Sequence, residues 1–182
     1  MKINCDMNKF HNYAFPMPAV LVTCNDEEGK TNVITIAWHT TISKKPPLYG
    51  ISVAPGRYSY DLISKTKEFV VNFTPYSLAK TVHFCGTHSG RKNDKIKETN
   101  MSLVDSEKVK TPSIKECYAH LECKLFDIIE LGDHCLLVGE VVNVRGEKEL
   151  LDKELLDNSK TQTCFYLGNN SYSMIDKNKK RF

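Results

Sequence analysis

Ala19-Val20-Leu21-Val22-Thr23-Cys24, Asn25-Asp26-Glu27-Glu28-Gly29 and Val33-Ile34-Thr35-Ile36-Ala37-Trp38 follow one another along the chain in that order. The two outer runs are short, apolar and rich in β-branched residues, whose stiff side chains suit a pleated sheet. The middle run is polar and ends in glycine, a turn signal. Two such runs at this spacing predict a β-hairpin.

The pattern repeats outward from there. Leu48-Tyr49-Gly50-Ile51-Ser52-Val53, opened by Pro46-Pro47 and closed by Pro55-Gly56, reads as a third strand, and Glu68-Phe69-Val70-Val71-Asn72-Phe73 as a fourth. From Ala119 to Ile129 the chain alternates in part, with Leu121, Cys123 and Leu125 on one face and His120, Glu122 and Lys124 on the other. A short connection, Glu130 to His134, leads into a strong strand from Cys135 to Val144, which predicts a second hairpin. Helical patterns are fewer: Tyr58 to Lys65, Ser77 to Cys85 with Ser77 as N-cap, Asn93 to Asn100, and a charged amphipathic stretch from Glu147 to Leu156. Short strands with a few intervening helices predict a mainly β fold, an antiparallel barrel with peripheral helices. No GxGxxG follows a strand and no GxxxxGK[ST] occurs, which argues against a doubly wound nucleotide fold.

Composition sets the outer limits. The chain has 182 residues, a length that fits one domain over 1–182, with 1–12 and 176–182 expected as peripheral or flexible tails. A domain of this size buries about 70% of the surface of its unfolded chain, enough for a core without disulfides. Lys and Arg number 25 against 22 Asp and Glu, a net charge of +3 that is too balanced to argue for nucleic acid. The basic tail Lys177, Lys179, Lys180 and Arg181 reads as a solvated terminus. No run approaches a bilayer span and the N-terminus has no apolar signal region, so a cytoplasmic protein without a membrane partner is expected. The cysteines, 7 in all, are spread without a CxxC pair, and most sit in apolar runs where cysteine acts as a small hydrophobe. His83, Cys85 and His88 place three soft ligands within six residues. A tetrahedral site wants a fourth ligand, and none stands at suitable spacing, so no metal is expected.

Several segments in order resemble the flavin reductase-like, FMN-binding split-barrel family, in its flavoredoxin-like branch. They are Pro16 to Thr23, Asn32 to Trp38, Ser43-Lys44-Lys45-Pro46-Pro47-Leu48, Arg57-Tyr58-Ser59 with Leu62-Ile63, Ser89-Gly90 with Asp94-Lys95, Gly132-Asp133-His134 with Val138-Gly139-Glu140-Val141, and Tyr166-Leu167-Gly168 with Tyr172. The resemblance implies a homodimeric split barrel holding FMN near the subunit interface. It further implies an oxidoreductase passing electrons from NAD(P)H, or from a reduced partner protein, through FMN to an acceptor: free flavin, a ferric complex or an electron carrier. Two other readings are an FMN electron-transfer module that does not turn over alone, and a flavin-less barrel binding another ligand.

A flavin needs a phosphate cradle, a slot for a flat apolar ring, and donors at the ring's polar edge. Arg57, Tyr58 and Ser59 open a short helix, whose start offers free N–H groups and a positive dipole end. Arg adds a planar fork of donors and Ser a hydroxyl. By resemblance Ser59 and Lys95 are the phosphate ligands, with Arg57 next and Lys92 competing with Lys95. The alternatives are a helix-capping Ser59 and a surface Arg57. Asn32 and Trp38 stand on one strand with Thr40 following it, and by resemblance the family sets that strand's end against the flavin ring; a lone tryptophan also suits a core, and Asn32 equally suits the close of the hairpin after Lys30-Thr31. His39 is either a ring-edge donor or exposed. Phe165, or Tyr166 beside it, is placed to cover the ring. His134 stands where the family's histidine approaches the flavin, or is a turn residue facing water.

Overall fold

The computed structural model describes residues 1–153, 155–157 and 159–175. The basic tail and the expected C-terminal tail lie outside these. Strands β1 (Met17–Pro18), β2 (Val20–Asn25), β3 (Thr31–Ile36), β4 (His39–Lys44) and β5 (Pro47–Val53) lead to helix α1 (Tyr58–Thr66) and strand β6 (Glu68–Phe73). Helices α2 (Ala79–Thr87) and α3 (Lys95–Thr99) precede the short strands β7 (Leu103–Val104) and β8 (Ser113–Ile114). Two long strands, β9 (Ala119–Leu131) and β10 (His134–Gly146), form a hairpin. Four short strands close the chain: β11 (Leu151–Asp152), β12 (Leu155–Leu156), β13 (Phe165–Gly168) and β14 (Ser171–Ser173).

Seven strands make one sheet in the order β3-β2-β6-β9-β10-β5-β4, antiparallel at every pair. Its two edge strands are consecutive in sequence, joined only by Ala37 and Trp38. Laid flat, seven strands span roughly 29 Å, whereas the three Cα steps from Ile36 to His39 reach about 11 Å at most. The sheet therefore curls until its edges meet at Trp38, where Ser52 N donates to Trp38 O at 2.8 Å. This is a split antiparallel barrel with peripheral helices.

Side-chain alternation fills both sides of the barrel wall. Val20, Val22 and Cys24 of β2 join Ile34, Ile36, Ile51, Val53, Phe69, Val71, Cys123 and Leu137 in one core, with Leu62 and Ile63 of α1 against it. The opposite face of β2 and β3, with Ala19, Leu21 and Val33, packs against Val82 and Cys85 of α2 and against Met101 and Ile114. Burial on both faces leaves every residue of β2 inaccessible, which is why that stretch reads as a continuous apolar run.

Three local expectations change. Residues 147–156 form a turn, Lys148–Leu150, and then the β11–β12 hairpin instead of a helix. Leu151 folds back over Gly146, whose missing Cβ would lie 2.9 Å from Leu151 Cδ1. Helix α2 begins at Ala79, with Leu78 and not Ser77 at its cap. Pro75 bridges to Thr163 and Tyr76 N donates to Gln162 O at 2.7 Å, holding this segment extended until a single turn of 3-10 helix releases it. Thr40, Thr41 and Ser43 belong to a strand absent from the sequence reading, β4, which pairs with β5. Before β1, Met7–Ala14 forms a peripheral 3-10 segment with no buried residue. Its His11 ring rests 5.9 Å from the Trp38 ring.

Candidate functional site

The edge of β3 not paired to β2 is where the barrel splits, and two adjoining pockets lie along it. They share Ile34, Arg57 and Gly86. One is a slot bounded by Ile34, Ile36, Ala37 and Trp38 of the seam, Val53 and Ala54 at the end of β5, and His134 at the start of β10. The other is a cradle formed by Asn32, by Arg57, Tyr58 and Ser59 at the start of α1, and by His88, Ser89, Gly90 and Lys95.

The cradle's chemistry is that of an anion site. No carboxylate is among its lining residues. Ser59 Oγ accepts from Asn32 Nδ2 at 2.8 Å, which leaves its own O–H free to donate. No side chain caps α1, so the helix's leading N–H groups have no side-chain acceptor and its positive dipole end faces the pocket. Lys95 is buried, and its Nζ donates to Val33 O and Cys85 O, both at 2.8 Å. An ammonium has three donors, so one remains for an anion. Burial pulls the Lys95 pKa below its ordinary value, and a neighbouring anion would push it back up. Burial also lifts the thiols of Cys24, packed against Asn32, and Cys85 to about 11, which makes both poor nucleophiles.

Close approach shapes this end. A Cβ on Gly90 would fall 1.9 Å from Asn32 Oδ1 and 3.1 Å from Tyr58 Cδ1. The loop can therefore seat on Asn32 only because residue 90 has no side chain. Arg91 then folds outward over the Tyr58 ring, its guanidinium 5.1 Å from the ring centre, donating to Gly56 O at 3.2 Å and pairing with Asp61.

The slot's lining is mixed, with Ile34, Ile36, Ala37, Val53 and Ala54 beside Thr35, Ser52 and Arg57. Trp38 and His134 lie with ring centres 5.0 Å apart. His134 Nδ1 meets Asp133 Oδ1 at 2.9 Å, leaving Nε2 available. That hydrogen bond holds the Asp133 carboxyl below its ordinary pKa.

Six of the residues singled out from the sequence come together here: Asn32, Trp38, Arg57, Ser59, Lys95 and His134. Four stand outside the two pockets. Both His39 nitrogens are engaged within the protein, Nδ1 with Tyr49 Oη at 2.5 Å and Nε2 with Pro18 O at 2.9 Å, so it is no free ring-edge donor. Thr40 is exposed and its hydroxyl donates to Thr41 O. Lys92 is exposed in the loop before α3, and only Lys95 turns into the cradle. Phe165 lies in β13 opposite Pro18, while Tyr166 packs on Phe15 with ring centres 5.1 Å apart. Gly86, His88 and Gly90 escape sequence reasoning as site residues, since a glycine lining a pocket carries no local signal. Of the three soft ligands, Cys85 lines the cradle from the core side, His83 meets the Tyr172 ring and His88 stacks on Phe84. Among the described residues, no three His, Cys, Asp or Glu side chains converge on a common point.

A profile of the flavin reductase like domain matches residues 12–164. An uncharacterised protein of Archaeoglobus fulgidus is 42% identical over 132 residues, covering 72% of this chain and 73% of its own. Among solved structures, the flavoredoxin of Methanosarcina acetivorans superposes with a TM-score of 0.88 at 28% identity, over 100% of this chain and 95% of that one. An FMN-binding protein of Thermus thermophilus with bound 1-cyclohex-2-enone gives 0.86 at 29% identity, over 100% and 98%.

Proposed function

This chain belongs to the family of flavin reductase like domains, and from that premise we propose that it is an FMN-dependent oxidoreductase. It takes electrons from NAD(P)H or a reduced partner protein and passes them through FMN to free flavin, a ferric complex or an electron carrier. It works in the cytoplasm as a homodimer. The observation that carries this reading is the pairing of a slot walled in part by Ile34, Ile36, Ala37 and Val53 with a carboxylate-free cradle along one strand edge. That is the shape and charge of a planar ring joined to a phosphate.

The residues fit such a cofactor. Ser59, the third N–H of Lys95, Arg57 and the start of α1 would hold the phosphate. The ring would lie between the β3 seam and Val53-Ala54, with Trp38 and His134 at its rim. FMN supplies the electron transfer chemistry when bound. The protein's part would be to align donor with ring, exclude water with Ile36, Val53 and Trp38, and present His134 Nε2, left free by the Nδ1–Asp133 bond, at the rim of the slot.

An apolar row supports the homodimer. Ile42 and Leu136 meet across Gly50, whose absent Cβ would lie 3.0 and 2.9 Å from their side chains, and Ile129 pairs with Leu136 on β9. Ile42 and Ile129 are exposed. His134 and Leu136 alternate onto the same face of β10, so the row runs to the rim of the slot. A second copy seated on it would bury the row and wall the slot.

The test is an absorption spectrum of the purified protein after incubation with FMN and removal of the excess, followed by steady-state NADH and NADPH oxidation. Retained flavin with turnover supports the proposal. Retained flavin without turnover leaves an electron-transfer module that needs a protein partner. Failure to retain FMN overturns the flavin reading.

A further inference from the structure

We propose that Arg91 is the residue that restricts the site to FMN over FAD, by bracing the end wall of the phosphate cradle; this rests on the flavin reading above. FMN ends in a phosphate monoester, whereas FAD continues from that phosphate through a second one to adenosine. Discrimination therefore depends on whether the cradle has an exit beyond the first phosphate.

The cradle's far end, away from the ring slot, is made by Asn32, Gly90 and Tyr58. These three are in direct contact, since a methyl group on Gly90 would collide with Asn32 and press on Tyr58. The contact joins three separate elements: strand β3, the loop after α2 and the first turn of α1. Arg91 secures it from outside. Its guanidinium lies on the Tyr58 ring, donates to Gly56 O and pairs with Asp61 one turn along α1. Gly56 and Tyr58 line the cradle and Asp61 stands outside it on α1, so the Arg91 side chain straps the loop to the helix. Asn93 Nδ2 and the N–H groups of Lys92 and Asn93 fix the same loop onto Ser89 O. Arg91 does not line the cradle and its guanidinium is turned outward onto three protein partners, so it acts as a positioning residue.

An exposed ion pair by itself stabilises little, because water screens it and two long side chains must be held still. The strap matters only when something must push the wall open. On this proposal FMN would leave the wall in place, whereas a second phosphate directed past Asn32 and Gly90 would have to part them and strain the Arg91 contacts. The strap is thus a device that works against one ligand instead of for the other.

The experiment measures dissociation constants for FMN and FAD by flavin fluorescence on wild type, Arg91→Ala, Arg91→Lys and Asp61→Asn, with melting temperatures for each. The wild type should prefer FMN. Arg91→Ala should lower that preference by about fivefold or more, the scale of releasing contacts of this class. Asp61→Asn should lower it in part, and Arg91→Lys, which keeps charge without the planar fork, should fall between. A mere loss of packing would weaken both flavins together and leave the ratio unchanged. Equal binding of FMN and FAD by the wild type, or an unaltered ratio in the folded variants, overturns the strap while leaving the flavin site intact. Binding of neither flavin to the wild type overturns the flavin reading itself, and the strap with it.

Discussion

Asn32 Nδ2 donates to Ser59 Oγ at 2.8 Å, a side-chain bond that ties strand β3 to the first turn of helix α1. Both residues are buried, and the bond decides which way the Ser59 hydroxyl can point. With its oxygen accepting from Asn32, the Ser59 hydroxyl is left to donate to another group, either the Cys24 sulfur or an anion in the cradle.

Ser59→Ala should weaken FMN by about 0.5–1.5 kcal/mol, the net worth of one hydrogen bond, and Asn32→Ala by a similar amount through loss of orientation. Because the two act through one bond, the double variant should cost less than the sum. A double-mutant cycle on FMN affinity checks this, and strict additivity would separate the two residues.

Gly90→Ala should be the most damaging single methyl group in the site. The added carbon would sit 1.9 Å from Asn32 Oδ1, so the loop must move. We expect a stability loss of about 1–3 kcal/mol, as for overpacking a tight contact, together with loss of FMN retention. Gly56→Ala is the control for stability, since nothing lies within 4 Å of a Cβ there. Denaturant unfolding of both variants makes the comparison.

Stability should fall as the pH drops from 6.5 toward 4 because of His120. Burial, reinforced by the Arg145 charge and opposed by Glu122, lowers its pKa from 6.5 to about 4. Its Nδ1 lies 2.9 Å from Asn72 Oδ1, an oxygen that also accepts Ile114 N, so the neutral ring donates there. Above pH 6.5 the ring is neutral folded or unfolded. Between 6.5 and 4 only the unfolded chain takes the proton, and about 2–4 kcal/mol is lost; below 4 the loss saturates. Glu122 adds a second loss at lower pH. Its burial is outweighed by hydrogen bonds from Glu107 N, Asn143 and Lys108 N that lower its pKa, so its contribution holds above 4.5 and disappears beneath that. Urea unfolding across this range should show the first step flattened in His120→Gln.

Ile42→Glu should convert the protein to a monomer by light scattering and weaken FMN retention. A charge at the β4 end of the Ile42–Leu136–Ile129 row would be desolvated beneath a second copy. A wild-type monomer, or a variant that remains dimeric, would remove this face as the interface.

Much of the barrel is legible one segment at a time. The β2–β3 hairpin is written in two β-branched runs about a polar turn, and the β9–β10 hairpin in Gly132-Asp133 between long apolar strands. Periodicity and turn chemistry act over a few residues, so a single sequence displays them. The start of α1 and its Ser59 belong to the same local class. So does Asp94, whose side chain accepts from Lys97 N and opens α3. The 147–156 segment shows the limit, because leucines at helical spacing are outvoted by one contact with Gly146.

What the sequence by itself determined is most of the barrel strands, the two hairpins and, through family resemblance, the residues that could serve a flavin. Tertiary structure decided which of them meet. His39 and His134 look alike as residues near strand ends, yet curling of the sheet locks one between Tyr49 and Pro18 and delivers the other beside Trp38. Lys92 and Lys95 differ by three positions, and only the seating of Gly90 on Asn32 sends the second inward. The physical reason is barrel closure. The site lies along an unpaired strand edge whose walls come from residues 32–38, 52–59, 85–95 and 134, and their proximity arises only when the edges of a seven-stranded sheet are drawn together.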